Sequence, residues 1–281
     1  MEQGKERPGV WIGHGRILDV RAAAFHIEDY NGHFFEHAGV LQLERLLDEP
    51  EARFVDAADV RLGSPIARPS KIICVGANYA DHAREFGHEV PKEPILFSKA
   101  TSAINGPNDP IVLPDGSQVV DSEAELALVI GKKTSRVDRR DALDHVAGYT
   151  LLNDVTERVV QKANGQWFRG KGFDTFCPIG PFLVTPDEIP DLNALPVWQR
   201  HNGVLLQNGN TTDLMFNIPF LIEYISQGMT LLPGDVISTG TPSGIGSARE
   251  PKVLMAAGDV IEIGLDGLGE QRAKVIAMGK S

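Results

Sequence analysis

Three carboxylates crowd into the five residues Asp121-Ser122-Glu123-Ala124-Glu125, and the apolar run Leu126-Ala127-Leu128-Val129-Ile130-Gly131 follows at once. This stretch restricts the fold more than any other in the chain. Its apolar residues repeat with period two rather than 3.6, which predicts a strand. On a strand, alternate side chains share a face. Ala124, Leu126, Leu128 and Ile130 then line one face, and Glu123 and Glu125 stand together on the other. Two carboxylates side by side on a mostly buried strand repel each other and resist desolvation. A divalent cation removes both penalties, because hard cations take carboxylate oxygens. Two plainer readings compete: a solvated strand end with two harmless acids, and a helix capping box spelled by Ser122-x-x-Glu125. The shortness of the run and its period argue against the helix.

The chain has 281 residues, enough for one large domain, or one domain plus a small one, to bury a core without cross-links. Its 29 glycines and 18 prolines imply many turns and short strands. A net charge of −11 argues against nucleic acid or an anionic membrane surface as a partner. A small anionic substrate stays open, because a metal ion with a few Lys or Arg reverses the field locally. Two cysteines, Cys74 and Cys177, are too few for a disulfide framework. The segment from Met1 to Arg7 lacks the apolar stretch of a secretory signal, and no apolar run reaches the length of a membrane span. A cytoplasmic location is the expectation.

Along the chain, Gly9–Ile12 and Arg16–Val20 flank the turn-rich Gly13-His14-Gly15 and predict a hairpin. Val40, Leu43, Leu46 and Leu47 fall at helical spacing within 40–49. These elements form a small N-terminal unit that ends in the proline-bearing connector Arg61–Pro69, so the expected domains are 1–65 and 66–281. Lys71–Gly76 is a short buried strand. A helix follows over 78–87, with Asn78 or Asp81 as cap and Gly87 as stop, where His82 and Glu85 meet at i, i+3. A histidine beside a carboxylate is a candidate base, against the plainer reading of a surface pair. Pro94–Lys99 and His145–Asp154 are further strands, and 154–165 reads as a helix with a glycine stop. On that helix Asp154, Arg158 and Gln161 share a face, although Asp154-x-x-Glu157 also spells an N-cap. The aromatic, glycine-rich stretch 167–181 reads as an irregular loop able to hold Lys171 against a ligand. Strands are expected over 196–200, 203–206, 235–238, 260–265 and 273–277, with one helix over 217–227. Thr239–Gly246 lacks the lysine and following helix of a phosphate loop. It reads as a tight loop whose amides and Thr241 hydroxyl can hold a carboxylate.

Taken in order, several stretches together resemble the fumarylacetoacetate hydrolase family over about residues 62–278. They are Gly76-Ala77-Asn78-Tyr79-Ala80-Asp81-His82-Ala83-Arg84-Glu85, Phe97-Ser98-Lys99, Asp121–Leu126, Asn153–Arg158, Gln161, Lys171, Gln207-Asn208-Gly209-Asn210-Thr211 and Thr239-Gly240-Thr241-Pro242. The resemblance implies an α+β fold, mostly β: a mixed β-sandwich roll with a small N-terminal α+β unit. It also implies a homodimer and a bound Mg²⁺ or Mn²⁺. It makes Glu123, Glu125 and Asp154 the metal ligands. His82 and Glu85 match a dyad that activates water, on a lid helix. Lys171 and Gln161 match groups that meet the substrate or its developing oxyanion. Lys99, Arg158, Tyr79 and Thr241 match positions that contact substrate. Ser122 replaces an aromatic common in the acidic motif, which bears on pocket shape rather than on metal binding.

The chemistry so implied is hydrolysis of a carbon–carbon bond in a 2,4-diketo acid, either acylpyruvate-like or a 2,4-diketo-3-deoxy sugar acid. A chelating substrate would meet a Lewis-acid ion, and His82 would activate the attacking water. The same site also suits oxaloacetate decarboxylation, keto–enol tautomerisation or isomerisation of 2-hydroxyhepta-2,4-diene-1,7-dioate, because family does not fix reaction. A metal-binding protein without turnover is the non-enzyme alternative. The intact His82, Glu85 and Lys171 argue against it.

Overall fold

The structure is a computed structural model that describes residues 6–49, 52–85, 91–163, 165–189 and 191–279. The N-terminal unit holds strands β1 (Gly9–Trp11) and β2 (Arg16–Asp19), helices α1 (Val20–Ala23), α2 (Gly32–Glu36) and α3 (Gly39–Leu46), and strand β3 (Phe54–Asp56). β1 and β2 form the expected antiparallel hairpin, and β3 extends it to a three-stranded sheet. Asp19 and Asn31 cap α1 and α2 with side-chain oxygens, as short polar residues do at helix starts.

The rest of the chain builds two five-stranded sheets. In chain order come β4 (Ile72–Gly76), α4 (Ala80–Glu85), β5 (Ile95–Lys99), β6 (Ile104–Asn105), β7 (Ile111–Leu113), β8 (Val120–Asp121), β9 (Ala124–Ile130), β10 (Val146–Asn153) and β11 (Thr156–Glu157). Then follow α5 (Arg158–Ala163), α6 (Phe168–Lys171), β12 (Cys177–Pro178), β13 (Pro196–His201), β14 (Val204–Asn210), α7 (Ile218–Gly228), β15 (Val236–Ser238), β16 (Val260–Leu265) and β17 (Gly269–Ala277). The first sheet has the order β10-β9-β15-β4-β5 and the second β14-β13-β16-β17-β7. Both mix parallel and antiparallel pairs, so the architecture is the sheet-dominated α+β sandwich expected.

The period-two pattern of β9 explains its place. Every residue from Ala124 to Ile130 is buried. Ala124, Leu126, Leu128 and Ile130 join one apolar cluster with Val197, Ile261, Ile263 and Val275 of the second sheet and with Leu221, Ile222 and Ile225 of α7. Ala127 and Val129 face the other way, into a second cluster that holds Ile72, Cys74 and Val236 together with Val20, Phe34 and Phe35 of the N-terminal unit. The first sheet is therefore covered on both faces, and the N-terminal unit supplies one cover.

Three local readings are corrected. The helix expected over 154–165 begins only at Arg158, because 156–157 pair as β11 with β8. Glu157 rather than Asp154 caps it, accepting from the Val160 amide at 2.6 Å. The stretch 167–181 is not wholly irregular: α6 occupies Phe168–Lys171. Neither Asn78 nor Asp81 plays the cap expected of it. The Asn78 side chain ties Phe216 and the Thr239 carbonyl together, and Ala80 already belongs to α4. The stop expected at Gly87 lies outside the described residues.

Candidate metal centre and active site

Strand register, not sequence spacing, brings the acids together. β10 runs antiparallel to β9 with Asn153 opposite Ala124. One residue beyond, the Asp154 amide donates to the Glu123 carbonyl at 2.9 Å. Glu123, Glu125 and Asp154 thereby place carboxylate oxygens within 4.8 Å of one another, all buried. Among the described residues this is the one group of three or more potential metal-ligand side chains so arranged.

Cations flank two of the three. Lys171 Nζ bridges Glu123 at 2.7 Å and Asp154 at 2.5 Å. Lys99 Nζ donates to the other oxygen of Asp154 at 2.6 Å and to the Val155 carbonyl at 3.1 Å. Arg158 donates to Glu123 at 2.5 Å, to Asp121 at 2.7 Å and to the Gln161 amide oxygen at 3.3 Å. Asp121 thus has a definite position: it holds the Arg158 guanidinium and accepts from the Ser247 amide. Glu125 has no Lys or Arg in ion-pairing contact among the described residues. Its carboxylate accepts from the Ser238 hydroxyl and, at 3.1 Å, from the Gly240 amide. Gly240 sits at φ 97°, and a Cβ there would meet the Val75 carbonyl at 2.9 Å, so only glycine presents this amide without strain.

The electrostatics follow from these partners. Burial would raise the Glu123 carboxyl, but Arg158 and Lys171 outweigh it and hold the group ionised, below the usual carboxylate range. Burial works in the same direction at Glu125, and Asp154 and Glu123 add to it, so its carboxyl is pushed up to about 8. Desolvation would lower the Lys171 ammonium, yet Asp154 and Glu123 push it up. With every side chain in its ordinary charge state, Asp121, Glu123, Glu125 and Asp154 set four negative charges against three positive ones on Lys99, Arg158 and Lys171. Glu125 carries the unmatched charge. A divalent cation beside Glu125 meets that excess, and three carboxylates are the donor set a hard ion prefers. The residues present fit such an ion.

The dyad lies near enough to this centre for His82 to act electrostatically on Glu123. His82 Nδ1 lies 3.2 Å from Glu85 Oε2, and Glu85 Oε1 accepts from the Gly244 amide at 2.9 Å. A carboxylate can only accept, so Nδ1 carries the proton in the neutral ring and Nε2 the lone pair. Asp81, next to His82, accepts from the Ser243 hydroxyl at 2.5 Å and from the Ser243 amide at 3.3 Å. The loop after Thr239 does hold carboxylates with its amides, as its composition suggests, but they are the chain's own Glu125, Asp81 and Glu85.

The other sequence-derived candidates also converge, with one difference. Gln161 is buried on α5 against Arg158, and α6 packs so closely on α5 that a Cβ at Gly170 would meet the Gln161 backbone nitrogen at 2.5 Å. Tyr79 is fully buried, and its hydroxyl has no hydrogen-bond partner among the described residues. The Thr241 hydroxyl, expected to face a ligand, instead donates to the Ala124 carbonyl at 2.8 Å and accepts from Gln207. It braces the acid strand. Sequence reasoning gave no role to Ser238, Gln207 or Ser243, and read Asp81 only as a helix cap. Gln207 lay within a noted motif, and its amide oxygen accepts from the Ala124 amide at 3.0 Å. Trp167 and Phe97 form an aromatic wall with centroids 5.1 Å apart, and Lys171 Nζ lies 4.9 Å from the Phe97 centroid.

Comparison with known proteins places this geometry. Residues 71–276 match the family described as fumarylacetoacetate (FAA) hydrolase C-terminal. A Burkholderia cenocepacia protein provisionally named a hydrolase is 48% identical over 270 residues, 95% of this chain and 94% of its own. The crystal structure of maleylpyruvate hydrolase from Sphingobium sp. SYK-6, in complex with manganese(II) and pyruvate, superposes with TM-score 0.79 at 34% identity over 97% of each chain. That of 2-hydroxyhepta-2,4-diene-1,7-dioate isomerase from Mycobacterium marinum gives 0.71 at 41% identity, covering 81% of this chain and 82% of its own. No helix among the described residues is long and apolar enough to cross a membrane.

Proposed function

The chain belongs to the fumarylacetoacetate hydrolase family, and on that premise we propose that it is a Mg²⁺- or Mn²⁺-dependent hydrolase that cleaves a carbon–carbon bond in a 2,4-diketo acid, acylpyruvate-like or a related sugar acid. Glu123, Glu125 and Asp154 would hold the ion, whose role when bound is that of a Lewis acid toward the chelating 2-oxo acid end of the substrate. The maleylpyruvate hydrolase neighbour carries manganese and pyruvate together, which supports this pairing of metal and product class.

The observation that carries hydrolysis is the orientation of His82 by Glu85, itself fixed by the Gly244 amide. A base so held takes a proton from water at Nε2. The water oxygen bonds to the distal carbonyl carbon. Lys171 spends two of its three N–H groups on Glu123 and Asp154, and the Gln161 amide oxygen is turned to Arg158. One Lys171 N–H and the Gln161 NH₂ remain to meet the oxyanion. As that oxyanion collapses, the carbon–carbon bond breaks and its electron pair passes into the enolate of the 2-oxo acid. The proton held by His82 returns to that carbon. A carboxylic acid and pyruvate, or a homologue of it, leave.

The isomerase neighbour supports a second reading, in which the same centre moves a proton without adding water. A panel of acylpyruvates, oxaloacetate, a 2,4-diketo sugar acid and 2-hydroxyhepta-2,4-diene-1,7-dioate, assayed with Mg²⁺ and with Mn²⁺, separates the two. Loss of enol absorbance with release of pyruvate from an acylpyruvate is the expected result. Turnover confined to the dienedioate, with no carbon–carbon cleavage of any substrate, would replace hydrolysis with isomerisation.

A further inference from the structure

Away from the acidic centre, a cavity of about 340 Å³ opens beside the N-terminal helices. His26, His33 and His37 line it, together with Asp29 and Gln42. His33 lies in α2 and His37 is its C-cap, four residues on, and their ring centroids are 4.1 Å apart. Side chains at i, i+4 share a helix face. Two nitrogens that bind one ion at about 2.1 Å stand roughly 3 Å apart. The rings lie over one another in this structure, and side-chain rotation is what would turn one nitrogen of each toward a shared ion.

Hydrogen bonds fix the open nitrogens of His37 and His26. His37 Nδ1 lies 2.9 Å from the His33 carbonyl oxygen, which only accepts. Nδ1 therefore carries the proton and Nε2 the lone pair. The Gln42 amide nitrogen donates to the His37 carbonyl at 3.2 Å, which orients that amide. Its oxygen then accepts from His26 Nε2 at 3.3 Å and leaves the His26 lone pair on Nδ1. A ring held through one nitrogen by a carbonyl oxygen, with the other nitrogen open, is how metal-binding histidines are oriented. All three imidazoles are exposed, so an ion reaches them from solvent.

We propose that His33 and His37, with His26 lining the same cavity, form a second metal site, one that takes a borderline transition-metal cation such as Zn²⁺, Ni²⁺ or Cu²⁺. Imidazole suits these ions, whereas carboxylate oxygen suits Mg²⁺ and Mn²⁺, so the two sites divide cations by ligand type. His33 and His37 supply two ligands, and water fills the positions that remain. The site does not depend on the reaction proposed for the acidic centre.

Ni²⁺ titration calorimetry and Cu²⁺ electron paramagnetic resonance on the full chain, both in a large excess of Mg²⁺, test the site. The wild-type protein is expected to bind Ni²⁺ in a class that the double substitution His33→Ala with His37→Ala weakens at least tenfold. Its Cu²⁺ spectrum is expected to show imidazole nitrogen splitting. Glu125→Gln is expected to leave that nitrogen signal in place. An unchanged Ni²⁺ isotherm in the double variant, or a wild-type Cu²⁺ spectrum with oxygen ligands only, would overturn the site. The wild-type spectrum stands even if the double variant folds poorly.

Discussion

At the residue scale, Glu125 is the acid on which the metal reading turns. Its raised carboxyl, about 8 against an ordinary 4.5, arises from burial and from Asp154 and Glu123 beside it. A folded-state value above the unfolded one gives stability that is complete below about pH 4.5 and lost as pH rises through 8. The metal-free protein should therefore melt at progressively lower temperature across that window, with an upper limit of roughly 5 kcal/mol. Saturating Mg²⁺ should abolish the decline by replacing the proton, and so should Glu125→Gln. Thermal melts from pH 5 to pH 8, with and without Mg²⁺, check this; a flat wild-type profile without metal would contradict it. Mg²⁺ binding near pH 7 should also release a proton, which calorimetry in two buffers of different ionisation enthalpy detects. Glu125→Gln should weaken Mg²⁺ at least about tenfold. His82→Ala should bind Mg²⁺ as the wild type does yet lose about 10² to 10⁴-fold in hydrolysis. Unchanged turnover in that variant would remove His82 as the base.

At the element scale, α4 is tied to the loop after β15 by two carboxylates. Asp81 takes Ser243, and Glu85 takes the Gly244 amide. Glu85 thus joins His82 to the backbone of a separate segment, the loop after β15. Glu85→Gln keeps the shape but can offer its NH₂ where an acceptor is needed. It should lower kcat with little change in KM and should move the base limb of the pH–rate profile. Ser243→Ala removes one of the contacts to Asp81 and should be much milder, within a fewfold of wild-type kcat. Equal effects from the two would argue that α4 is merely docked, with no orientation of the base. β9 shows how one element serves two purposes. Its side chains divide between two apolar clusters, while its acidic end reaches the centre.

At the scale of the whole molecule, the N-terminal unit and the first sheet share one apolar cluster. Phe35→Ala should thus destabilise the entire protein, by about 3–5 kcal/mol. Calorimetry should record one shifted transition, and a separate early melt of the N-terminal unit would contradict a shared core. The residue order alone determined much here. The short unbroken apolar run 126–130 specified a buried strand, because a strand with both faces covered needs apolar residues on each. The pairing of His82 with Glu85 was legible too, since i, i+3 neighbours touch on any helix. Tertiary structure decided the rest. Asp154 joins Glu123 only because the β9–β10 register sets it one step past Asn153. The helix start moved to Arg158 because β8 captured 156–157. Thr241 turned to brace Ala124, and Asp121 became the anchor of Arg158, through partners dozens of residues away. Local spacing fixes which side chains share a face. Which faces meet, and so which charge is left without a counter-ion, depends on long-range pairing that no short stretch encodes.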